Sequence, residues 1–268
     1  MMCKMIIDKQ KVPSPHSSIS LYLITYISDG LQVKGYLAEP RTLTREKLPG
    51  LVYLRGGIKN VGMVRVQRVI QWAAEGFVVI APFYRGNKGG EGQEDFAGED
   101  REDAHTACDI LFSHPTVDPD SIHLIGFSRG GVMALLTALH NKRVASLISW
   151  NGVTDMFLTY EERVDLRRMM KRVIGGTPNK YPERYVDRTP LDQLQDLQSS
   201  VLIIHGMKDE HVSIEHAYRL EQALNQVNKK VDAWYYPDYT HHFPAKEQQR
   251  ILTEAGKWLK AQRKHGLG

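Results

Sequence analysis

The chain has 268 residues, 42% hydrophobic and 25% charged, with 35 basic against 31 acidic side chains and a formal charge of +4. This composition excludes a disordered, collagenous or disulfide-stapled chain, and the small, scattered positive charge disfavours a nucleic-acid partner. No apolar run reaches the roughly 18 residues that span a bilayer, and the charged start MMCKMIIDKQKVPSP does not form a secretory leader. The two cysteines, Cys3 and Cys108, read as reduced thiols of a cytoplasmic protein.

In chain order, Ile19–Pro40 is two β-rich runs around Asp29-Gly30, a hairpin signal. After the polar stretch from Arg41 to Lys47, short continuous apolar runs appear at Leu51–Leu54, Phe77–Ala81, Ile122–Ile125, Leu147–Trp150 and Val201–Ile204, with a last strand over Val231–Tyr236. Such runs suit strands covered on both faces, as in a parallel sheet. Helical patterns alternate with them: Val64–Glu75 ending at Gly76, Asp100–Phe112 with acids in its first turn, Val132–Leu139, Ala217–Val227, and a final helix from about Lys246 to Gln262.

The rhythm predicts an α/β fold over residues 1–268 as a single domain, with a doubly wound, mostly parallel sheet of about eight strands. Residues 151–200 interrupt it without a convincing strand. They read as a helical insertion over the carboxyl edge of the sheet, where ligands bind in such folds. The basic run Arg163, Arg167, Arg168, Lys171 and Arg172 within it reads as a solvated helix face.

The strongest chemical signal is Gly126-Phe127-Ser128-Arg129-Gly130-Gly131, directly between the strand SIHLI and the helix VMALLTAL. Gly-x-Ser-x-Gly lets a strand turn sharply into a helix and leaves the serine on the exposed tip. A serine hydroxyl needs an imidazole to take its proton, and the imidazole needs a carboxylate to orient it. In this arrangement the chain order is serine, acid, histidine. Two turns downstream fit that order. Asp209 follows the strand VLIIH, and His241-His242 follow the strand VDAWYYP. Glu210 and Asp238 compete as the acid, and His242 and His211 as the base. His205 reads as a supporting residue, and a metal site from His205, Asp209 and His211 matches no closed ligand spacing. The developing oxyanion needs donors. The N–H of Arg129 is one candidate and Gly57, with Ile58 as its rival, is the other, from the Arg55-Gly56-Gly57 loop after Leu51–Leu54.

These residues resemble the serine hydrolase domain of the prolyl oligopeptidase family, within the α/β-hydrolase superfamily. The likeness runs from about Gly50 to the last helix. YLRGGI resembles the family's His-Gly-Gly-Pro loop, and Pro82–Gly92 its Asn-Tyr-Arg-Gly-Ser-Gly-Gly turn. HGMKDEHV and YYPDYTHHF resemble its acid and histidine turns. The resemblance implies a Ser128–Asp209–His241 triad, with Arg129 and Gly57 at the oxyanion, and prefers His241 over His242 by its position relative to Phe243. Three features depart from the family: Arg55 stands for histidine, Ile58 for proline and His242 for glycine. With about 50 residues before the first parallel strand, there is also no room for the family's gating β-propeller.

The sequence thus predicts a cytoplasmic serine hydrolase acting on a small-molecule or short-peptide substrate, with no metal or organic cofactor and no membrane partner. Peptidase activity competes with carboxylesterase activity, with a metal-dependent hydrolase and with a non-catalytic binding protein of the same fold. Trp150, Met156, Phe157 and Met169 are candidate pocket residues; Tyr84, Arg85 and Tyr160 read as structural.

Overall fold

A computed structural model describes residues 5–41 and 46–264. Nine strands form one sheet: β1 (Ile6–Val12), β2 (Ile19–Ser28), β3 (Leu31–Pro40), β4 (Leu48–Leu54), β5 (Val78–Pro82), β6 (Val117–Phe127), β7 (Ser146–Trp150), β8 (Ser200–Gly206) and β9 (Val231–Tyr236). Their order is β1-β2-β3-β5-β4-β6-β7-β8-β9. The expected hairpin is β2–β3, turning at Asp29-Gly30, both at positive φ. From β5 to β9 every pairing is parallel. The strand beyond the eight anticipated is β1. It pairs only with β2 at the edge and exposes most of IIDKQKV, so it carries none of the apolar signal that marks the buried strands.

Helices α1 (Val66–Ala74), α2 (Arg101–Phe112), α3 (Gly130–His140), α4 (Met156–Glu162), α5 (Arg167–Met170), α6 (Pro182–Val186), α7 (Ile214–Gln226) and α8 (Ala245–Lys260) cover the sheet. The amphipathic helices α1, α7 and α8 bury the stripe that their apolar spacing provides, whereas α3 is buried almost all round. In α8, Ile251, Leu252, Ala255 and Leu259 face the same apolar cluster as Trp72 of α1 and Phe77. The other face holds α2, α3 and α7 through Ala104, Leu111, Leu135 and Leu220. Glu102 and Asp103 occupy the first turn of α2, where the helix dipole favours them. α4, α5 and α6, with short 3₁₀ and π segments, fill the stretch between β7 and β8.

The winding places the site. From β4 the chain crosses through α1 to β5 on one side, then returns through α2 to β6 on the other side of β4. The loops after β4 and β6 therefore diverge, opening a crevice at their carboxyl ends. Among the described residues no helix is long and apolar enough to cross a membrane. Cys108 is a buried free thiol whose pKa burial pushes up; Cys3 lies outside the described residues.

Two interior histidines are held as neutral rings. His123 of β6 lies between Ser121 Oγ and Ser146 Oγ at 3.1 and 2.9 Å, and burial lowers its pKa to about 3. Burial likewise lowers His216, on α7, to about 3. The unfolded chain titrates both near 6.5, so their effect is nil above that pH, and stability falls as the pH drops from about 6.5 toward 3. We predict a lower urea midpoint at about pH 5 than at about pH 7, with a shallower slope in His123→Asn/His216→Asn. A wild-type midpoint that stays flat over this interval would refute the assignment.

Candidate active site

Ser128 sits where β6 turns into α3, at φ +56°. This left-handed conformation is costly for a residue with a Cβ. It is held by three backbone hydrogen bonds: Ser128 N–H donates to Trp150 O (3.2 Å), and Ser128 O accepts from Gly131 and Val153 (2.9 Å each). Gly126 makes the turn possible, because a Cβ there would run into the backbone carbonyl of Gly130. The Arg55-Gly56-Gly57 loop packs directly on the serine. A Cβ on Gly56 would lie 2.6 Å from Ser128 Cβ and 3.1 Å from its Oγ.

Asp209 and His241 meet across the loops after β8 and β9. His241 Nδ1 and Asp209 Oδ2 are 2.7 Å apart, and both residues are buried. Asp209 Oδ1 accepts from the N–H groups of His211 (2.8 Å) and Val212 (2.9 Å). Burial pushes this carboxyl up, but His241 and the two backbone donors outweigh it and hold the pKa below the ordinary value. His205 supports the same loop through Nε2 and Val212 O at 2.9 Å. The rival groups are placed differently. Glu210 is exposed, and so is Asp238, which pairs with Lys208 at 2.8 Å. His242 is exposed, stacks 5.7 Å from Phe127, and is pulled down by burial and by its neighbours His241, His211 and Arg65.

Asn151, which sequence reasoning missed, ties the two turns together. Its Nδ2 donates to His241 O (2.9 Å), and its Oδ1 accepts from Gly206 N–H (2.9 Å). It follows β7 and has φ +44°, and an asparagine just after a strand is the one signal that pointed to it.

Beneath the serine lies a buried charge network, also missed because its acids sit in the polar stretch GQEDFAGED, where nothing in the local pattern marks them as buried. Glu94 Oε1 accepts from Arg55 Nη2 (2.7 Å), the N–H of Lys59 (2.7 Å) and Asn87 Nδ2 (2.6 Å). Glu94 Oε2 pairs with Arg129 Nη2 at 2.5 Å, and Asp100 Oδ2 with Arg129 Nη1 at 2.8 Å. Arg55 also donates to Gly56 O (2.9 Å) and Val61 O (3.3 Å), clamping both ends of the glycine loop. Tyr84 packs under both guanidiniums, and Arg85 binds Asp103 at 3.0 Å. The departure at Arg55 is thus matched by a buried carboxylate. Among the described residues no other hydrogen bond occupies the N–H of Arg129 or Gly57.

Ser128, Arg129, Gly57 and His241 line one cavity of about 460 Å³. Trp150 and Met169 line it as expected, but Met156 is buried in the core and Phe157 packs on Tyr185. Tyr160 lies against Tyr185 and beneath Arg167. In the basic run, Arg168, Lys171 and Arg172 are solvated as expected. Arg163 instead lines the cavity, pairs with Asp165 and donates to His211 O. Among the described residues no cluster of three or more His, Cys, Asp or Glu is arranged to hold a metal ion.

The nine-stranded sheet with a serine on a strand–helix elbow defines an α/β hydrolase. The comparisons agree. The model of the prolyl oligopeptidase family matches residues 64–265. The uncharacterized peptidase YtmA of Bacillus subtilis is 58% identical over 96% of this chain and 99% of its own length. The fold superposes on a puromycin-hydrolyzing peptidase of Mycobacterium tuberculosis with a TM-score of 0.80 at 22% identity, covering 92% of this chain and 40% of that one. It superposes on acetyl xylan esterase 1 of Thermoanaerobacterium with a TM-score of 0.69 at 18% identity, covering 92% and 87%. The chain belongs to the prolyl oligopeptidase family and is a serine hydrolase. It spans about a third of the length of several longer relatives, 31% in the case of dipeptidyl-peptidase 5 of Porphyromonas gingivalis.

The packing of Gly56 against the serine gives a direct test. We predict that Gly56→Ala folds but loses at least about tenfold in kcat, since the added methyl displaces Ser128 or the loop. Unchanged kcat in that variant would show that the contact does not set the geometry.

Proposed function

We propose that this serine hydrolase cleaves peptide or ester bonds through Ser128, His241 and Asp209, forming an acyl-enzyme. The observation that carries the assignment is the 2.7 Å contact between His241 Nδ1 and Asp209 Oδ2, in the same cavity wall as the elbow serine. Ser128 Oγ attacks the substrate carbonyl carbon while His241 Nε2 takes the hydroxyl proton. Asp209, anionic and fixed by two backbone donors, holds the ring in the tautomer with hydrogen on Nδ1 and stabilises the imidazolium. The N–H groups of Arg129 and Gly57 receive the oxyanion. As the tetrahedral species collapses, His241 returns the proton to the departing amine or alcohol. Water then attacks the acyl-enzyme with His241 again as base, releasing the acid and restoring Ser128.

The family and the relatives' names support peptide substrates. The helical segment between β7 and β8 acts as a cap, since Thr159, Arg163, Leu166 and Met169 from it line the cavity. Its apolar walls suit a short peptide or a small acyl compound. We place the protein in the cytoplasm, on the reading of its two cysteines as reduced thiols.

A fluorophosphonate probe is expected to label Ser128 in the folded protein and to fail in Ser128→Ala; no labelling of the wild type would end the enzyme reading. We further predict that His241→Ala lowers kcat by about 10⁴-fold, whereas His242→Ala stays within about tenfold. The reverse result would transfer the role of base. Kinetics on p-nitrophenyl esters against aminoacyl and prolyl p-nitroanilides separate the activities, and turnover of esters alone would remove the peptidase reading.

A further inference from the structure

One wing of the cavity has a chemistry that neither the triad nor the cap explains. Between β4, α1 and α8 it is lined by Tyr53, Arg65, Arg68, Trp72 and Gln248. Four arginines line the whole cavity, and no aspartate or glutamate lines it. Two of the four are already neutralised: Arg129 by Glu94 and Asp100, and Arg163 by Asp165. Among the described residues Arg65 and Arg68 have no carboxylate within ion-pair distance.

Arg68 is half-buried, and its side-chain acceptors are neutral, Gln71 Oε1 at 3.0 Å and the Tyr53 hydroxyl. Burial pulls its pKa down; Tyr53 acts against that and Arg65 adds to it. Arg65 is exposed, Arg68 half-buried, and the two like charges repel; an anion arriving between them relieves that repulsion. Trp72 and Trp150 also line the cavity and give it aromatic walls. The wing therefore combines two guanidiniums with aromatic walls, and no carboxylate lines it to pair with a substrate's free amino group.

We propose that Arg65 and Arg68 form an anion subsite that selects substrates carrying a carboxylate attached to an apolar or aromatic body. Two guanidiniums three residues apart at the start of α1 offer the forked donors that a carboxylate accepts. The aromatic walls take up the apolar part. This deepens the assignment of the Ser128 cavity as the substrate site and rests on it. It makes a free α-amino terminus a poor anchor here, because no carboxylate lines the cavity to pair with it.

The test reads binding apart from chemistry. Ser128→Ala is titrated calorimetrically at low salt with monobenzyl succinate and with its neutral counterpart, benzyl methyl succinate. The anion subsite predicts that the carboxylate binds at least about tenfold tighter and that the preference shrinks as salt is raised. Adding Arg65→Gln and Arg68→Gln is expected to bring the two affinities within about twofold, while Arg172→Gln, an exposed charge removed elsewhere, keeps the preference. Wild-type selectivity needs no arginine variant, so the comparison survives if Arg68→Gln folds poorly. Equal or weaker binding of the carboxylate would overturn the proposal, as would a preference that persists without both arginines. Because this readout does not require the nucleophile, its failure leaves the triad standing. Failure of the triad appears separately, as an unlabelled Ser128 in wild-type protein that still prefers the anion.

Discussion

One buried carboxylate, Glu94, joins the two loops that carry the proposed nucleophile and oxyanion donors. With one oxygen it holds Arg55 and the N–H of Lys59, which belong to the glycine loop; with the other it holds Arg129, the residue after Ser128. Both arginines are almost fully buried, so each charge would be expensive without its partner. Removing one member of such a buried network costs about 3–5 kcal/mol, because the remaining charges lose compensation. The network is also directional. Arg55 reaches Gly56 O and Val61 O, so the position of Glu94 fixes where the N–H of Gly57 faces relative to Ser128. Arg129 carries a second load on Asp100, which anchors the elbow to the segment leading into α2.

The sheet supplies the frame in which this contact operates. β4 and β6 are neighbours, and the chain leaves them toward opposite faces, so their following loops part above the sheet edge. The strained φ of Ser128 persists because β7 and the loop after it take its backbone N–H and C=O. On the far side, Asn151 fastens the His241 turn to the end of β8, while His205 and two backbone donors fix Asp209. The geometry of the proposed Ser128–Asp209–His241 site is thus set by polar contacts between loops, and the apolar layers hold the strands whose ends carry those loops.

Much of this was legible in the chain itself. The parallel strands announce themselves as short apolar runs because both of their faces are covered, and the elbow because close backbone approach demands glycine at fixed spacing. Asp209 and His241, which the fold brings into contact, stand out through their order and their positions just after strands. β1 escaped because an edge strand with solvent on its faces has no reason to be apolar. Glu94, Asp100, Arg65 and Arg68 escaped for a different reason. A charged residue in a polar stretch has the same local pattern whether it is solvated, paired in the interior or facing a cavity, and only tertiary packing separates these cases. The choice between His241 and His242 depended on family likeness in sequence, whereas in three dimensions the contact with Asp209 belongs to His241.

The central claim is that Ser128 faces an oxyanion pocket formed by Arg129 and Gly57 and held in place through Glu94. A crystal structure of the wild-type protein covalently modified by a fluorophosphonate tests it most directly. The account predicts a Ser128 adduct whose phosphoryl oxygen lies within about 3 Å of the backbone nitrogens of both Arg129 and Gly57, with His241 Nε2 beside Ser128 Oγ. An adduct whose phosphoryl oxygen points to solvent or is bound by other donors, with the Arg55–Glu94–Arg129 contacts intact, would contradict it.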